Sequence, residues 1–257
     1  MTAAAQAAGF RDRLVAGHPL LGSFIKSPGV HAIEILGQVG LDFVVIDAEH
    51  APWDRGAIDL AMLAAQAQSI PALVRVASIS DILTALDCGA AGVMVPHVSN
   101  ARIARDVAAA CRYRNGNRGF SNSPRAGRYG GLGLAAHIDT GDTSTAVIAM
   151  LEDPQALEHA AEIAQTKGID AFFLGRGDLT VALGETSTDT RAVQDAIALL
   201  VQAVKEAGKP LCAFAGKSSE IAALRALGVS AFILASDQGL LRQAAAGELA
   251  QFKSLLG

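Results

Sequence analysis

Eight short apolar runs recur along the chain, separated by longer segments whose apolar residues have helical spacing. Each run is apolar throughout and does not alternate with polar residues, which is typical of parallel strands buried on both faces. In four units a glycine precedes the run by one to three residues, as in a short helix-to-strand turn. The predicted strands are residues 20–26, 43–47, 71–76, 92–98, 145–152, 171–175, 210–215 and 231–236.

Helix signals mark several of the intervening segments. Residues 31–40, 80–89, 153–168 and 217–228 each have helical spacing and end at a glycine that is expected to form the C-cap. Eight strand–helix units in 257 residues predict an α/β fold, the (β/α)8 TIM barrel. The alternative is an open doubly wound sheet, which is weaker because no GxGxxG motif follows the first strand.

One segment departs from this regular alternation. Residues 114–133 are rich in Gly, Asn, Ser and Arg and contain few aliphatic residues. A loop of this length in a compact domain is usually functional or mobile. No other stretch has the composition of a linker, so the sequence predicts a single barrel domain over residues 1–257, with an N-terminal helix before the first strand.

Composition narrows the range of partners. The chain is 51% hydrophobic and 18% charged, so it can bury a large core. Its net charge of −4 and the absence of a basic cluster argue against a nucleic-acid partner. The three cysteines are far apart and fit neither a disulfide framework nor a zinc site. No apolar run is long enough for a membrane span, and we expect a soluble, cytoplasmic protein.

Ionisable residues follow several of the predicted strands. In a (β/α)8 barrel, functional residues gather at the carboxyl ends of the strands. The second strand ends in Asp47, Glu49 and His50, and the third and fourth carry Arg75 and His97. A buried arginine needs an anionic partner from the protein or from a substrate. Histidine carries protons near neutral pH, and either Asp47 or Glu49 is expected to orient the His50 ring.

Two further carboxylates follow the fifth and sixth strands. Glu152 comes after VIAML and Asp178 after FFLGRG. Two carboxylates on neighbouring strand ends can hold one hard divalent cation, with water and substrate oxygens completing its coordination. No lysine ends a central strand, because Lys26 and Lys217 are both expected in loops. A metal mechanism is therefore favoured over a Schiff-base mechanism.

Several of these residues also have simpler structural interpretations. Glu49 could serve only as a hydrogen-bond acceptor, and His97 could be a buried core histidine whose hydrogen bonds are satisfied. Asp153 is expected to cap the following helix, and Asp178 could do the same. These alternatives stay open on the sequence alone.

Six motifs together resemble one known family. They are 45-VIDAEHAP-52, 74-VRV-76, 93-VMVPHVSNA-101, 118-RG-119, 151-LED-153 and 174-LGRGDLT-180. From about Leu21 to Asp237, the chain resembles the HpcH/HpaI aldolases. These are class II, metal-dependent pyruvate aldolases of the 4-hydroxy-2-oxoheptanedioate and 2-keto-3-deoxy sugar-acid type.

The resemblance implies an activity and a cofactor. A divalent metal cation (Mg, Mn or Co) would be held by Glu152 and Asp178. A 4-hydroxy-2-oxo acid would be cleaved reversibly to pyruvate and an aldehyde, through a pyruvate enolate. The backbone N–H groups of Gly177 and Asp178 would bind the pyruvate carboxylate.

The resemblance also assigns catalytic roles and an assembly. Arg75 would bind the keto oxygen and stabilise the enolate, and His50 would act as the base with help from Asp47. The family implies a homo-oligomer, either a hexamer built as a trimer of dimers or a trimer. Its last helix, here residues 237–256, would exchange between subunits.

Departures from the family pattern leave the substrate open. Met150 stands where many members have Gln, and Arg176 and His97 also differ from the usual residues. By charge and position, Arg118, Arg125 and Arg128 of the long loop are expected to recognise an acidic or polyhydroxylated aldehyde. The alternatives are a lyase of the citryl/malyl-CoA type and a non-catalytic binding barrel. An assay with malyl-CoA tests the first alternative, and metal-dependent binding of pyruvate or oxalate tests the second.

Overall fold

The computed structural model describes residues 3–256, in which eight parallel strands form a closed barrel in chain order. The prediction of a (β/α)8 barrel is confirmed, and the open doubly wound sheet is excluded. The strands are β1 (Leu20–Ile25), β2 (Phe43–Asp47), β3 (Ala72–Arg75), β4 (Gly92–Val95), β5 (Ala146–Leu151), β6 (Ala171–Leu174), β7 (Leu211–Ala215) and β8 (Val229–Ser236).

Helices follow the strands and surround the barrel. They are α1 (Ala3–Val15), α2 (His31–Val39), α3 (Arg55–Ala67), α4 (Ile82–Asp87), α5 (Ala101–Ala110), α6 (Leu134–Ser144), α7 (Gln155–Glu158), α8 (Ala160–Ala164), α9 (Arg176–Ala182), α10 (Arg191–Glu206), α11 (Ile221–Ala226) and α12 (Asp237–Leu256). Short 3₁₀ turns cover Ile79–Asp81, Arg125–Gly127 and Ser218–Glu220. None of the helices in this described part of the chain has the length and apolar character needed to cross a bilayer.

The predicted elements are present, with differences at some of their boundaries. The helices predicted over residues 80–89 and 217–228 each begin with a 3₁₀ turn. The strand predicted over residues 92–98 ends at Val95, because His97 has a left-handed backbone with φ of 56° that cannot continue a strand. The helix predicted over residues 153–168 is two short helices, α7 and α8, separated at His159. The four predicted C-cap glycines all have φ between 90° and 94°, a range that favours glycine.

Burial on both faces explains why the strands are apolar throughout. Along β2, Phe43 and Val45 belong to a cluster inside the barrel, whereas Val44 and Ile46 pack in the outer layer between strands and helices. Alternate residues of a strand point to opposite faces, so both faces need apolar side chains. The core therefore consists of a filled barrel interior and a surrounding layer under the helices.

The N-terminal helix closes one end of the barrel. Phe10 and Leu14 of α1 belong to the inner cluster, and the Phe10 ring lies 5.2 Å from that of Phe43, the first residue of β2. This contact covers the amino ends of the strands. The carboxyl ends remain open at the opposite end, where polar groups can collect.

We expect Gly92→Ala to destabilise the protein by about 3 kcal/mol. A Cβ at Gly92 would lie 2.2 Å from the backbone oxygen of Ala146 on β5, its register partner, and neither strand can move without breaking the sheet. Gly133→Ala is the matched control, since a Cβ there meets no atom within 4 Å. Urea unfolding of both variants measures the difference. Equal stabilities would contradict the packing argument.

Candidate active site

A buried ion pair joins the ends of β2 and β3. Asp47 and Arg75 are register partners, and Arg75 donates from Nε and Nη2 to the two carboxylate oxygens of Asp47 at 2.9 and 2.7 Å. The Asp47 side chain is fully buried and that of Arg75 is 7% exposed. Burial would raise the pKa of Asp47, but the hydrogen bonds and charge of Arg75, together with Lys26, outweigh it and hold the pKa below its ordinary value.

Lys26 is a member of the site that the sequence analysis left in a loop. It directly follows β1, and its Nζ lies 3.0 Å from Oδ2 of Asp47. Its backbone N–H donates to Oδ1 of Asp237 at 2.7 Å, which fixes the chain at this point. Lys26 does lie in the loop after β1, as expected, but its side chain reaches the site. The signal was present in the sequence, because Lys26 ends the run 20-LLGSFIK-26.

The turn after β2 carries Glu49 and His50. The His50 ring is half-exposed and its Nε2 lies 3.6 Å from Oε2 of Glu49. Asp47 contacts the backbone N–H of His50 at 3.2 Å, and its carboxylate oxygens are occupied by Arg75 and Lys26. Of the two carboxylates expected to orient the ring, Glu49 is the one beside it, whereas Asp47 contacts the backbone of His50.

Glu152 lies at the end of β5 in a buried position. The backbone N–H of His97 donates to its Oε1 at 2.9 Å, while Oε2 is buried without a hydrogen-bond partner. Burial raises the pKa of Glu152 to about 7, and the nearby charges of Asp178 and Glu49 add to the rise, against the effect of His97. Gly175 makes room for this carboxylate, since a Cβ there would lie 2.5 Å from Oε2.

Asp178 belongs to the first turn of α9, which begins directly after β6. Backbone N–H groups in a first helical turn have no carbonyl from a preceding turn to bind. Gly177 and Asp178 line a cavity of about 800 Å³ at the carboxyl ends of the strands, together with Lys26, His50 and Arg75. The structure thus brings the predicted base, arginine and carboxylate to one opening.

His97 is not a core histidine. Its side chain is 62% exposed, and its Nδ1 lies 3.2 Å from Oδ1 of Asp153. Although partial burial acts in the opposite direction, the hydrogen bond and charge of Asp153 and the charges of Glu152 and Glu49 raise the pKa of His97. The Asp153 side chain binds this ring instead of capping the next helix, so that expectation is also corrected.

Arg118 does not line the cavity at the carboxyl ends. Its side chain is 2% exposed, its guanidinium lies 4.5 Å from the centre of the Tyr113 ring, and its Nη2 is 3.8 Å from Asp87. Arg125 donates from Nε and Nη2 to the carboxylate of Asp59 at 3.1 and 2.8 Å. Both arginines therefore face outer helices of this chain.

The position of the long loop follows from the topology. Arg118, Arg125 and Arg128 line a second cavity together with Ala90 and Thr145, which stand just before β4 and β5. A connection from a helix to the next strand lies at the amino ends of the strands in a (β/α)8 barrel. Arg118 and Arg125 therefore line a different cavity from His50 and Arg75, and recognition of the aldehyde by these arginines stays a prediction.

The donor set is compatible with one divalent cation. Within residues 3–256 there is no cluster of three or more His, Cys, Asp and Glu side chains arranged to hold a metal. Glu152 and Asp178 remain as two neighbouring carboxylates, and the unpartnered Oε2 of Glu152 is the atom that a cation would satisfy. Hard divalent cations accept few protein ligands when water or substrate oxygens supply the others.

Comparison with known proteins agrees with this geometry. An enzyme of Pseudomonas putida named 2-dehydro-3,6-dideoxy-6-sulfogluconate aldolase is 32% identical over 228 residues, covering 86% of this chain and 88% of the relative. A hydroxypyruvate/pyruvate aldolase of Delftia acidovorans is 31% identical over 250 residues, with 95% and 92% covered. The crystal structure of an HpcH/HpaI aldolase/citrate lyase family protein from Burkholderia cenocepacia superposes with a TM-score of 0.90 at 27% identity, covering 95% and 99%.

Both relatives are aldolases, which make or break a carbon–carbon bond, and this chain is accordingly an enzyme of the carbon–carbon lyase class. It belongs to the HpcH/HpaI aldolase/citrate lyase family, whose model matches residues 20–244. The family resemblance inferred from the six sequence motifs is confirmed.

We expect Glu152→Gln to stabilise the metal-free protein at pH 8 and to change its stability little at pH 5. The raised pKa means that the folded protein holds a proton on Glu152 more tightly than the unfolded chain, so wild-type stability falls as pH rises from about 4.5 to about 7. Gln stays neutral and avoids this loss, which amounts to about 3 kcal/mol at pH 8.

Thermal unfolding in the presence of a chelator at the two pH values measures the effect. Glu162→Gln at an exposed position of α8 is the control, and its effect should not depend on pH in this way. A stabilisation of Glu152→Gln that is the same at both pH values would contradict the assignment.

Proposed function

We propose that the protein is a metal-dependent aldolase that cleaves a 4-hydroxy-2-oxo acid to pyruvate and an aldehyde. The observation that carries the proposal is the buried Glu152 carboxylate with its unpartnered Oε2, beside Asp178 and next to the cavity that Arg75 lines. The names of the relatives support a product of the pyruvate type. The reverse reaction, addition of pyruvate to an aldehyde, uses the same groups.

Binding of the 2-oxo acid is assigned to the β5–β6 side and to Arg75. The backbone N–H groups of Gly177 and Asp178 bind the carboxylate. Arg75 has five N–H donors, and Asp47 occupies two of the donor groups, so others can reach the keto oxygen. Cleavage leaves negative charge on that oxygen, and a fixed guanidinium stabilises it without rearrangement.

Glu152 and Asp178 are the proposed ligands of a divalent cation, Mg, Mn or Co. When bound, the cation supplies Lewis-acid stabilisation of the negative charge that develops on the 2-oxo acid. Glu152 must lose its proton to act as a ligand. Burial raises its pKa and so disfavours the charged carboxylate when no cation is bound, whereas a bound cation would stabilise that charge.

Proton transfer is assigned to His50. It accepts the proton of the 4-hydroxyl group during cleavage and returns it during aldol addition. Glu49, 3.6 Å from Nε2 of His50, orients the ring, whereas Asp47 acts through Arg75 and the backbone of the turn. Asp47 is thus a positioning residue in this proposal.

Lys26 raises a Schiff-base mechanism as the second candidate. Its ion pair with Asp47 requires a protonated Nζ, and a protonated amine has no electron pair to attack a carbonyl carbon. Borohydride reduction with pyruvate separates the two mechanisms, because it would trap a covalent adduct only in a Schiff-base enzyme. A lyase of the citryl/malyl-CoA type is the remaining alternative and is tested by its thioester substrate.

We propose further that the protein is a cytoplasmic homo-oligomer, with α12 exchanged between subunits. No residue of α12 is buried, and it exposes Leu241, Leu249, Phe252, Leu255 and Leu256. An apolar helix face of this kind is usually covered by another chain. A trimer or a hexamer built as a trimer of dimers would cover it, and sedimentation of the intact protein measures the assembly.

Removal of divalent metal should abolish activity. Oxaloacetate decarboxylation needs only the 2-oxo acid part of the site, so it tests the site without knowledge of the aldehyde. We expect a chelator to reduce the rate to background and Mg, Mn or Co to restore it. Glu152→Gln and Asp178→Asn should not recover, whereas Asp195→Asn, at an exposed position of α10, should behave as wild type. Full activity without metal would exclude the mechanism.

His50→Asn should lower kcat for aldol cleavage by about 10²- to 10⁴-fold, the usual contribution of a general base. Binding of oxalate, an analogue of the enolate, should change little because it requires no proton transfer. The exposed His18→Asn is the control. A His50→Asn enzyme that keeps more than a tenth of wild-type kcat would remove His50 from the role of base.

A further inference from the structure

Lys26 has a fixed place at the opening of the barrel. Both Lys26 and Ser27 donate their backbone N–H groups to the carboxylate of Asp237, at 2.7 and 3.0 Å. The Lys26 side chain is 29% exposed and lines the same cavity as His50 and Arg75. Its ammonium group is therefore held at the substrate cavity by the backbone beneath it.

The carboxylate that Lys26 contacts is also bound by Arg75. Both oxygens of Asp47 accept hydrogen bonds from Arg75, and one of them also accepts from the backbone N–H of His50. Glu49 forms its ion pairs with Arg75 and with the two imidazoles. Asp47 thus contacts two cations, Lys26 and Arg75, and Arg75 is shared with Glu49.

Two further cations, Arg176 of α9 and Arg242 of α12, line the same cavity. Arg176 donates from one nitrogen to the carbonyl of Phe214 and to Glu220, both at 2.7 Å. An ammonium group has three donors, and the contact with Asp47 uses one of them. Lys26 therefore keeps donors for an anion that enters the cavity.

The order of strands in the barrel indicates which part of the substrate would contact Lys26. In a closed barrel of eight strands in chain order, β1 lies opposite β5. The proposed metal ligands Glu152 and Asp178 stand at the ends of β5 and β6, whereas Lys26 stands at the end of β1. A substrate whose 2-oxo acid end lies at β5 and β6 extends its aldehyde end across the opening toward Lys26.

We propose that Lys26 is a specificity-determining residue that binds a carboxylate on the aldehyde half of the substrate. This inference rests on the aldolase function proposed above. It predicts that the enzyme prefers aldehydes carrying a carboxylate over neutral aldehydes of the same length. The preference comes from the ammonium charge and not from the shape of the cavity.

Paired acceptor aldehydes test the proposal. Pyruvate is added to glyoxylate or glycolaldehyde and, at greater length, to succinic semialdehyde or butanal, and kcat/KM is measured for each. The wild-type enzyme should favour the carboxylate member of at least one pair. Lys26→Met and Lys26→Gln should reduce that ratio at least tenfold, while Lys26→Arg should keep it within threefold. Lys167→Met, which removes an exposed lysine before β6, is the control.

The variants separate charge recognition from a structural role. Gln can still donate to Asp47, so a loss of preference in both Met and Gln variants with retention in Arg supports binding of the carboxylate. An equal fall for charged and neutral aldehydes, or an unchanged ratio, overturns the proposal and leaves Lys26 as a support of Asp47. If wild type neither decarboxylates oxaloacetate nor adds pyruvate to any aldehyde, the aldolase function itself fails and this inference falls with it.

Discussion

The arrangement of the site depends on the buried ion pair of Asp47 and Arg75. Two adjacent strands bring these residues into register, and the pair is stable in the interior because each charge has the other as its partner. Loss of one member would leave an uncompensated buried charge, which typically costs about 3–5 kcal/mol. The same carboxylate fixes the plane of the guanidinium, contacts Lys26 and binds the N–H of His50. One residue thus sets the positions of the groups proposed for binding and for proton transfer.

Much of the fold could be predicted from the sequence because burial on both faces leaves a clear pattern. Runs such as 43-FVVID-47 cannot alternate with polar residues when one face fills the barrel and the other meets the helices. The proximity of Arg75, Glu152 and Asp178 also followed from topology alone, since parallel strands in a closed barrel end at the same rim. Neither the strand pattern nor the clustering of these three residues required knowledge of side-chain contacts.

The remaining details depended on contacts that no local pattern contains. The pairing of Arg125 with Asp59 joins residues 66 positions apart, and the direction of the Lys26 side chain depends on Asp47 and Asp237. The side of the barrel on which the long loop lies was accessible in principle. Residues 114–133 belong to the connection from α5 to β5, and such a connection starts at the amino ends of the strands. The prediction of a substrate-binding role relied instead on the charge of the arginines in this loop.

The left-handed backbone of His97 has a consequence for how this enzyme can change. A side chain at φ of 56° carries strain of about 1 kcal/mol or more, which is retained only where the surroundings enforce it. Here that conformation lets the backbone N–H hold Glu152, itself buried at a cost in stability. Selection for heat resistance alone would therefore favour relaxing this turn and neutralising the carboxylate beside it. Because Glu152 is also a proposed metal ligand, a variant that keeps this carboxylate would have to gain stability elsewhere in the barrel.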